Sequence, residues 1–165
     1  MTTLRDSVTE VERELAGYRN TTPGGLAINA AGSATFKSAV PYVYLSDGVY
    51  KNKAAIVAQA FSTGHAVQPI GQTAYFTVGV DAAGTVTTYQ GLTASAAAVA
   101  AALLSGLAAT TVLGMISDVP NGVTPLGLIK VATTSAAFTP GTTALDAAGL
   151  TVTFFDVALL PSVSP

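Results

Sequence analysis

Few side chains in this sequence have the types and spacing that enzyme chemistry requires. His65 is the only histidine, and it lies in the predicted loop Ser62–His65. A Ser-His-Asp system would need an aspartate beside it and a serine nucleophile, and no Gly-x-Ser-x-Gly elbow occurs. The aspartates that could serve are Asp47, Asp81, Asp118, Asp146 and Asp156. Because most of them stand in turn-forming contexts, we interpret His65 as a solvated loop residue.

Metal and cofactor patterns are also missing from the sequence. Cysteine is absent, which excludes a thiolate metal site, a disulfide and a cysteine nucleophile. Asp118 with Asn121 could contact a cation, but capping of their turn explains both residues. Glu10 and Glu14 face one side of a predicted exposed helix, where a solvated polar face is the simpler interpretation. We therefore predict no enzymatic activity, no cofactor and no metal.

The composition indicates a protein that buries surface against other proteins. Half of the 165 residues are hydrophobic and 10% are charged, against about 25% charged in an average soluble domain. Alanine and valine dominate the apolar residues. Each of these side chains buries little area, and apolar burial stabilises by only about 25 cal/mol per Å². A charge-poor body of small side chains favours contact with copies of itself or with another protein. The net charge of −2 and the lack of any Lys/Arg run predict no nucleic-acid partner.

The most hydrophobic window is Leu92–Ile116, which carries no charge and is long enough to span a bilayer. Gly106 lies at its middle, and the nearest basic residues are Lys53 and Lys130, so no flanking charge would orient a membrane helix. We therefore predict no membrane association. The N-terminus lacks the apolar region of a secretory signal.

Residues 1–20 are predicted to form an N-terminal helical arm, followed by a linker over residues 21–38. The arm carries a heptad spacing of apolar residues and seven of the sixteen charges of the chain. The heptad positions are Leu4, Val8, Val11, Leu15 and Tyr18. Two heptads are too few to associate alone, so the helix either packs on its own domain or assists an oligomer that the body forms. We take these five residues as the candidate interaction residues.

Residues 39–165 are predicted to form a β-rich body. Its best-patterned unit is Thr73–Gly91, two strands joined by the turn Asp81–Gly84, in which Asp caps and Gly accepts positive φ. The same tetrapeptide recurs at Asp146–Gly149, before the β run Thr151–Leu160. A second hairpin, Ala39–Tyr50, turns at Ser46–Gly48.

Further segments complete the predicted body. Thr110–Ile116 and Leu126–Thr133 favour strands, and Ala54–Phe61 is a strand or a short helix, with the strand favoured. Thr93–Ser105 favours a short helix capped by Thr93 or Ser95. The predicted fold class is therefore mainly β, an antiparallel β-sandwich or barrel preceded by an N-terminal amphipathic helix, with one further short helix as an option.

Several segments of the C-terminal half resemble tailed-bacteriophage virion structural proteins, the small Ala/Gly/Thr-rich chains of heads and appendages. They are Phe76–Gly91 (FTVGVDAAGTVTTYQG), Asp118–Gly122 (DVPNG), Leu126–Val131 (LGLIKV), Phe138–Gly149 (FTPGTTALDAAG) and Phe154–Val157 (FFDV). The likeness spans roughly residues 40–160 and does not include the heptad segment. It carries no catalytic residues.

The resemblance implies an accessory capsid protein that decorates or cements the shell, often as a homotrimer. The expected partners are the major capsid protein and copies of the chain itself. The expected location is the virion, assembled in the cytoplasm of a bacterial host.

Two other functions stay open from the sequence. The first is a tail or head-fibre component that contacts the host surface through exposed aromatic residues, for which Tyr42, Tyr44, Tyr50 and Tyr89 are the candidates. The second is a small enzyme or binding module, which would need a pocket with converging polar groups.

Overall fold

The computed structural model describes residues 17–95, 97–99, 101, 115–117 and 119–157. The predicted heptad helix therefore lies outside the described residues, apart from its last position, Tyr18, which is not helical. The prediction of a helical arm is also wrong at Arg19–Asn20, which form a short strand. The end of the last predicted strand, residues 158–160, also lies outside them.

Antiparallel strands are the main regular structure of the described chain, which confirms the prediction of a mainly β body. The strands are β1 (Arg19–Asn20), β2 (Leu26–Ile28), β3 (Thr35–Ser38), β4 (Tyr42–Ser46), β5 (Val49–Lys53), β6 (Gln59–Ala60), β7 (Gln72–Asp81), β8 (Val86–Gln90), β9 (Ala94–Ser95), β10 (Val123–Thr133) and β11 (Leu150–Asp156). They form three sheets, ordered β1-β4-β5, β2-β3-β6 and β11-β10-β7-β8, with β9 also paired to β7. Among the described residues these sheets are open, and none closes into a barrel.

The largest sheet is built on the predicted hairpin. β7 pairs with β8 from Phe76↔Gln90 to Val80↔Val86, and with β10 on its other side. As the central strand, β7 is buried on both faces along nearly its whole length, which explains its apolar and threonine-rich sequence. The predicted strand Leu126–Thr133 is confirmed as the greater part of β10.

The β7–β8 turn confirms the role predicted for Asp81 and Gly84. Asp81 Oδ1 accepts hydrogen bonds from the N–H groups of Ala83 at 2.9 Å and Thr85 at 2.8 Å. The Thr85 N–H lowers the pKa of the Asp81 carboxyl, and the Ala83 N–H adds to this, because both stabilise its charged form. Gly84 has a φ of +84°, which a residue with a Cβ adopts at a cost.

The second predicted hairpin is confirmed as β4 and β5. Ser46 pairs with Val49, so the loop holds two residues, Asp47 at φ +52° and Gly48 at φ +72°. Positive φ at both positions defines a type I′ turn, whose twist matches that of the flanking strands.

All three sheets share one hydrophobic core. Its centre is a group of four phenylalanines in edge-to-face contact, with ring centroids 4.9 Å apart for Phe61–Phe76 and 6.0 Å apart for Phe76–Phe138. Phe36 of β3 joins the group through Phe61, at 5.7 Å. Such pairs stabilise by about 0.5–1.5 kcal/mol each beyond the area they bury.

The segment predicted to be a linker is part of this core. Residues 21–38 contain β2 and β3, and Phe36 is completely buried. These strands are only three and four residues long, and pairing with each other and with β6 holds them in place. The predicted strand over Ala54–Phe61 is wrong except at Gln59–Ala60, since Ala58 has a φ of +51°, which interrupts an extended chain.

The apolar window Leu92–Ile116 is described only in part. Ala94–Ser95 form β9, and residues 97–99 and 101 are helical. Ser95 Oγ accepts a hydrogen bond from the Ala98 N–H at 3.1 Å, which supports the predicted cap. Met115 is helical, so the predicted strand Thr110–Ile116 is wrong at that residue. The described part of the chain contains no helix with the length and apolar character needed to cross a membrane.

Candidate interaction surface

Tyr18 is the one candidate interaction residue among those described, and it contacts the body. Its hydroxyl donates a hydrogen bond to the Asp47 carboxylate in the β4–β5 turn. This bond raises the pKa of the Tyr18 hydroxyl. Leu4, Val8, Val11 and Leu15 lie outside the described residues.

His65 lies in a loop as predicted, but it is half-buried, so the prediction that it is solvated is wrong. Its Nε2 lies 2.8 Å from Thr88 Oγ1, and its ring meets Phe76 edge to face at 5.4 Å. Burial lowers the pKa of His65, and a hydrogen bond at Thr88 opposes that effect. Thr88 stands on β8, 23 residues further along the chain, so no local pattern could have located this contact.

The carboxylate of Asp156 accepts hydrogen bonds from three consecutive main-chain N–H groups. The donors are Gly24 at 3.2 Å, Gly25 at 3.1 Å and Leu26 at 3.3 Å, in the turn that leads into β2. Beside this contact, the end of β11 is also held by Asn20, whose Nδ2 donates to the Val157 carbonyl at 2.9 Å. Asp156 thus joins the end of β11 to the start of the second sheet.

Each of the other described aspartates also bonds a loop. Asp146 accepts the Gly32 N–H at 2.9 and 3.1 Å, Asp81 caps its own turn, and Asp47 accepts from Tyr18. Asp118 lies outside the described residues. Within the described ranges, no three His, Cys, Asp or Glu side chains come together as a metal site would need. The described carboxylates therefore stabilise the conformations of loops and turns.

Two of the four tyrosines considered for host contact are buried. Tyr42 is 0% and Tyr44 1% exposed, and the Tyr44 hydroxyl donates to the Asp81 carbonyl at 3.2 Å. Burial, and then the charge of Asp156, raise the pKa of Tyr42. Gly24 lies against the Tyr42 ring so closely that a Cβ there would overlap the ring. Tyr50 is 70% exposed and Tyr89 is half-buried, which leaves Tyr50 as the prominent surface aromatic.

Large apolar side chains are exposed at several places on the described body. Val49 and Tyr50 stand next to each other where β5 leaves its turn, exposed by 58% and 70%. The others are Val40, Val57, Val67, Ile70, Leu92 and Phe155. Singly exposed apolar side chains are common on proteins, so the neighbouring pair Val49 and Tyr50 is the candidate site for contact with another protein.

The outer edge of β8 is covered by the loop over residues 62–66. The Ser62 N–H donates to Thr88 Oγ1 at 2.8 Å, and the Thr88 N–H donates to Ser62 Oγ at 2.9 Å. The Gln90 side chain accepts from the Ala66 N–H at 2.7 Å and donates to the Ala66 carbonyl at 3.1 Å. Side chains here replace the main-chain partners that an edge strand lacks.

The outer edge of β11 has no such cover among the described residues. Of the strands that the structure describes, β11 is the last in the large sheet and pairs only with β10. Leu150, Val152 and Phe154 pack partly buried against the core, whereas Thr151, Thr153 and Phe155 are exposed. The alternation of the sequence predicts these two faces, but the position of β11 at a sheet edge follows only from the strand order.

Comparison of the chain with protein-family models, with curated proteins and with solved structures found no match.

Proposed function

We propose that the protein is a structural component of a phage particle that decorates or cements the capsid by binding across major capsid protein subunits. The observation that carries the proposal is the set of large apolar side chains exposed on a body with few charges. The resemblance to virion structural proteins supplies the identity of the partner. We propose that the protein is located in the virion. We also propose that its active form is self-associated, and the resemblance favours three copies.

The electrostatics of the body support a contact function over a chemical one. Nine of the sixteen charged residues lie within residues 20–165. The four described aspartates of this region are bonded to main-chain N–H groups or to Tyr18. Few free charges therefore remain to keep the apolar side chains solvated as a monomer.

The physical basis of cementing is multivalency. A single copy that buries a few valines and one tyrosine binds weakly, since hydrophobic burial yields about 25 cal/mol per Å² and association carries its own entropic cost. When several copies are linked, each further contact is effectively intramolecular, so the assembly binds far more strongly than any one copy.

The test adds purified protein to capsids prepared without it. We expect bound copies in a fixed ratio to capsid subunits and a higher temperature of capsid disruption. The double variant Val49→Ser with Tyr50→Ser should bind less, whereas Asn52→Ser, an exposed polar change on the same strand, should bind as the unaltered protein does. Capsids that neither bind the protein nor gain heat resistance would overturn the proposal.

The tail or head-fibre function stays as the second candidate because Tyr50 is strongly exposed. Its expected signature is binding to host surface glycans that the Tyr50→Ser variant loses, together with localisation of the protein on the tail.

A further inference from the structure

The free edge of β11 presents main-chain groups that can pair with another strand. The Thr134 N–H donates to the Gly149 carbonyl and the Val157 N–H to the Leu126 carbonyl, so odd-numbered residues of this strand bond β10. Even-numbered residues therefore direct their main-chain groups outward. The Leu150 N–H donates a hydrogen bond to the Ala147 carbonyl at 3.1 Å. The main-chain N–H and C=O groups of Val152 and Phe154 face outward without a partner in the described chain.

β11 also lacks the features that usually keep edge strands apart. It contains no Lys, Arg or Pro, and its register with β10 runs from Leu150 to Asp156 without a bulge. The edge of β8, in the same sheet, is covered by the loop over residues 62–66, which bonds Thr88 and Gln90 of that strand. Among the described residues, one edge of the main sheet is thus covered and the longer one is open.

We propose that two copies of this chain associate by antiparallel pairing of their β11 strands about a two-fold axis at Thr153. In this register Val152 of one copy lies opposite Phe154 of the second copy. Each such pair has outward main-chain groups and exchanges both hydrogen bonds, as in an ordinary antiparallel ladder. The two large sheets become one continuous sheet.

The side chains of β11 suit this register on both faces. On the exposed face, Thr153 meets Thr153 of the second copy and Thr151 meets Phe155, pairs that stabilise antiparallel sheets. On the other face, Val152 and Phe154 already pack against the core, so the pairing extends an apolar layer.

Charge does not oppose the pairing. Asp156 is the only charged residue of β11, and its carboxylate is bonded by the N–H groups of Gly24, Gly25 and Leu26. In the proposed register it lies opposite Leu150 of the second copy and not opposite its own equivalent. The two carboxylates therefore stand at opposite ends of the paired strands.

The proposal goes beyond the capsid function and does not depend on it. The β4–β5 hairpin belongs to a different sheet from β11, so a three-fold contact there could coexist with a two-fold contact along β11 and link copies into a network. Capsid binding and β11 pairing are tested by separate readouts, so either can fail alone.

The decisive experiment introduces single cysteines into this cysteine-free chain. A Thr153→Cys variant would place two cysteines opposite each other at a Cα separation of about 4.5 Å, within the range that a disulfide spans. The matched control is Thr151→Cys, an exposed threonine on the same strand and face. Two copies of residue 151 would lie about 14 Å apart in this register, too far for a disulfide.

Under mild oxidation we expect Thr153→Cys to become a covalent dimer on a non-reducing gel while Thr151→Cys stays monomeric. Equal cross-linking of both variants would indicate random collision and overturn the proposal. A Thr153→Cys protein that stays monomeric would overturn it as well.

A second measurement avoids cysteine chemistry. Analytical ultracentrifugation over a range of concentrations should show that Thr153→Lys loses the dimer, because two like charges would face each other at the axis. Asn52→Lys, with the same charge change on the exposed edge strand β5, should keep the dimer. The proposal is wrong if Thr153→Lys associates as the unaltered protein does, or if only Asn52→Lys dissociates.

Discussion

At the scale of single residues, polar side chains of this protein hold loops in place. Asp156 joins β11 to the turn before β2, and Asp146 joins the turn before β11 to the loop that contains Gly32. His65 joins its loop to β8 through Thr88. A carboxylate bonded to main-chain N–H groups is a strong contact because one partner is charged. Residue types that suggested chemistry therefore serve architecture in the described chain.

The half-buried His65 predicts a stability that depends on pH. Burial lowers its pKa in the folded protein below 6.5, so the unfolded state binds more protons as the pH falls. The stabilisation of the folded state by neutral His65 is fully present above the unfolded-state pKa of about 6.5. It is lost as the pH falls through the folded-state pKa. Urea unfolding at pH 7.5, 6.5 and 5.5 should thus give a decreasing free energy of unfolding.

The matched variant is His65→Phe, which keeps an aromatic ring against Phe76 and removes the titrating group. It should flatten the decrease between pH 7.5 and 5.5. If the variant shows the same slope as the unaltered protein, another group is responsible and the assignment to His65 is wrong.

At the scale of elements, the repeated Asp-Ala-Ala-Gly tetrapeptide forms two turns with different contacts. In Asp81–Gly84 the aspartate caps its own turn inside a hairpin. In Asp146–Gly149 the aspartate bonds Gly32, and the turn ends the long connection from β10 to β11. Both glycines have a φ of +84°, so the tetrapeptide itself sets the backbone conformation. The hydrogen-bond partner of the aspartate depends instead on the surrounding fold.

This difference predicts unequal costs for the same substitution. In Gly84→Ala the new Cβ would approach only Lys53 Cδ, at 4.0 Å. The free energy of unfolding should fall by about 1–2 kcal/mol, because alanine is strained in the left-handed conformation. Gly149→Ala should cost about 1–3 kcal/mol more, because its Cβ would overlap Ser135 Oγ and come within 2.9 Å of Ala136 N. Urea unfolding of both variants measures the difference, and equal losses would contradict the described packing around Gly149.

At the scale of the whole molecule, the described β body begins and ends at the same place. Asn20 of β1 is 2% exposed and donates to the carbonyls of Val157 at 2.9 Å and Leu126 at 3.5 Å. The strand β1 also pairs with β4 through Arg19↔Leu45 and Asn20↔Tyr44. Residues assigned to the arm and the linker by sequence therefore stabilise the body.

Two truncated chains test this boundary. A chain that starts at residue 17 keeps Tyr18, β1 and Asn20, and we expect its body to unfold at nearly the same urea concentration as the full chain. A chain that starts at residue 21 loses the buried contacts of Asn20 and should be less stable by about 1–3 kcal/mol. Asn20→Ala in the full chain should reproduce most of that loss. Equal stability of both truncated chains would show that Asn20 contributes nothing.

Much of the fold could be predicted from the sequence, because turns and amphipathic strands depend on neighbouring residues. The hairpins β4–β5 and β7–β8 and the strands β10 and β11 follow from Gly and Asp in their turns and from β-branched or aromatic residues between them. The strands β2 and β3 escaped prediction because three or four residues carry too little pattern. Their stability comes from pairing and from the burial of Phe36.

The candidate surface could be predicted less well, since exposure is decided by what packs on a side chain. Tyr42, Tyr44 and Tyr50 stand on one hairpin, yet the first two are buried and the third is exposed. The heptad spacing of residues 4–18 is plain in the sequence, but its role as an interaction surface stays a prediction.

By itself the sequence determined the β character of the body, the places where the chain turns, and the scarcity of charge. These depend on the conformational preferences and chemistry of residues within a few positions of each other. Only the tertiary structure decided that His65 packs on Phe76, that Asp156 binds the turn at Gly24, and that β11 is an edge strand of the sheet formed by the described residues. Those outcomes depend on pairing between strands far apart in the chain, which no local pattern encodes.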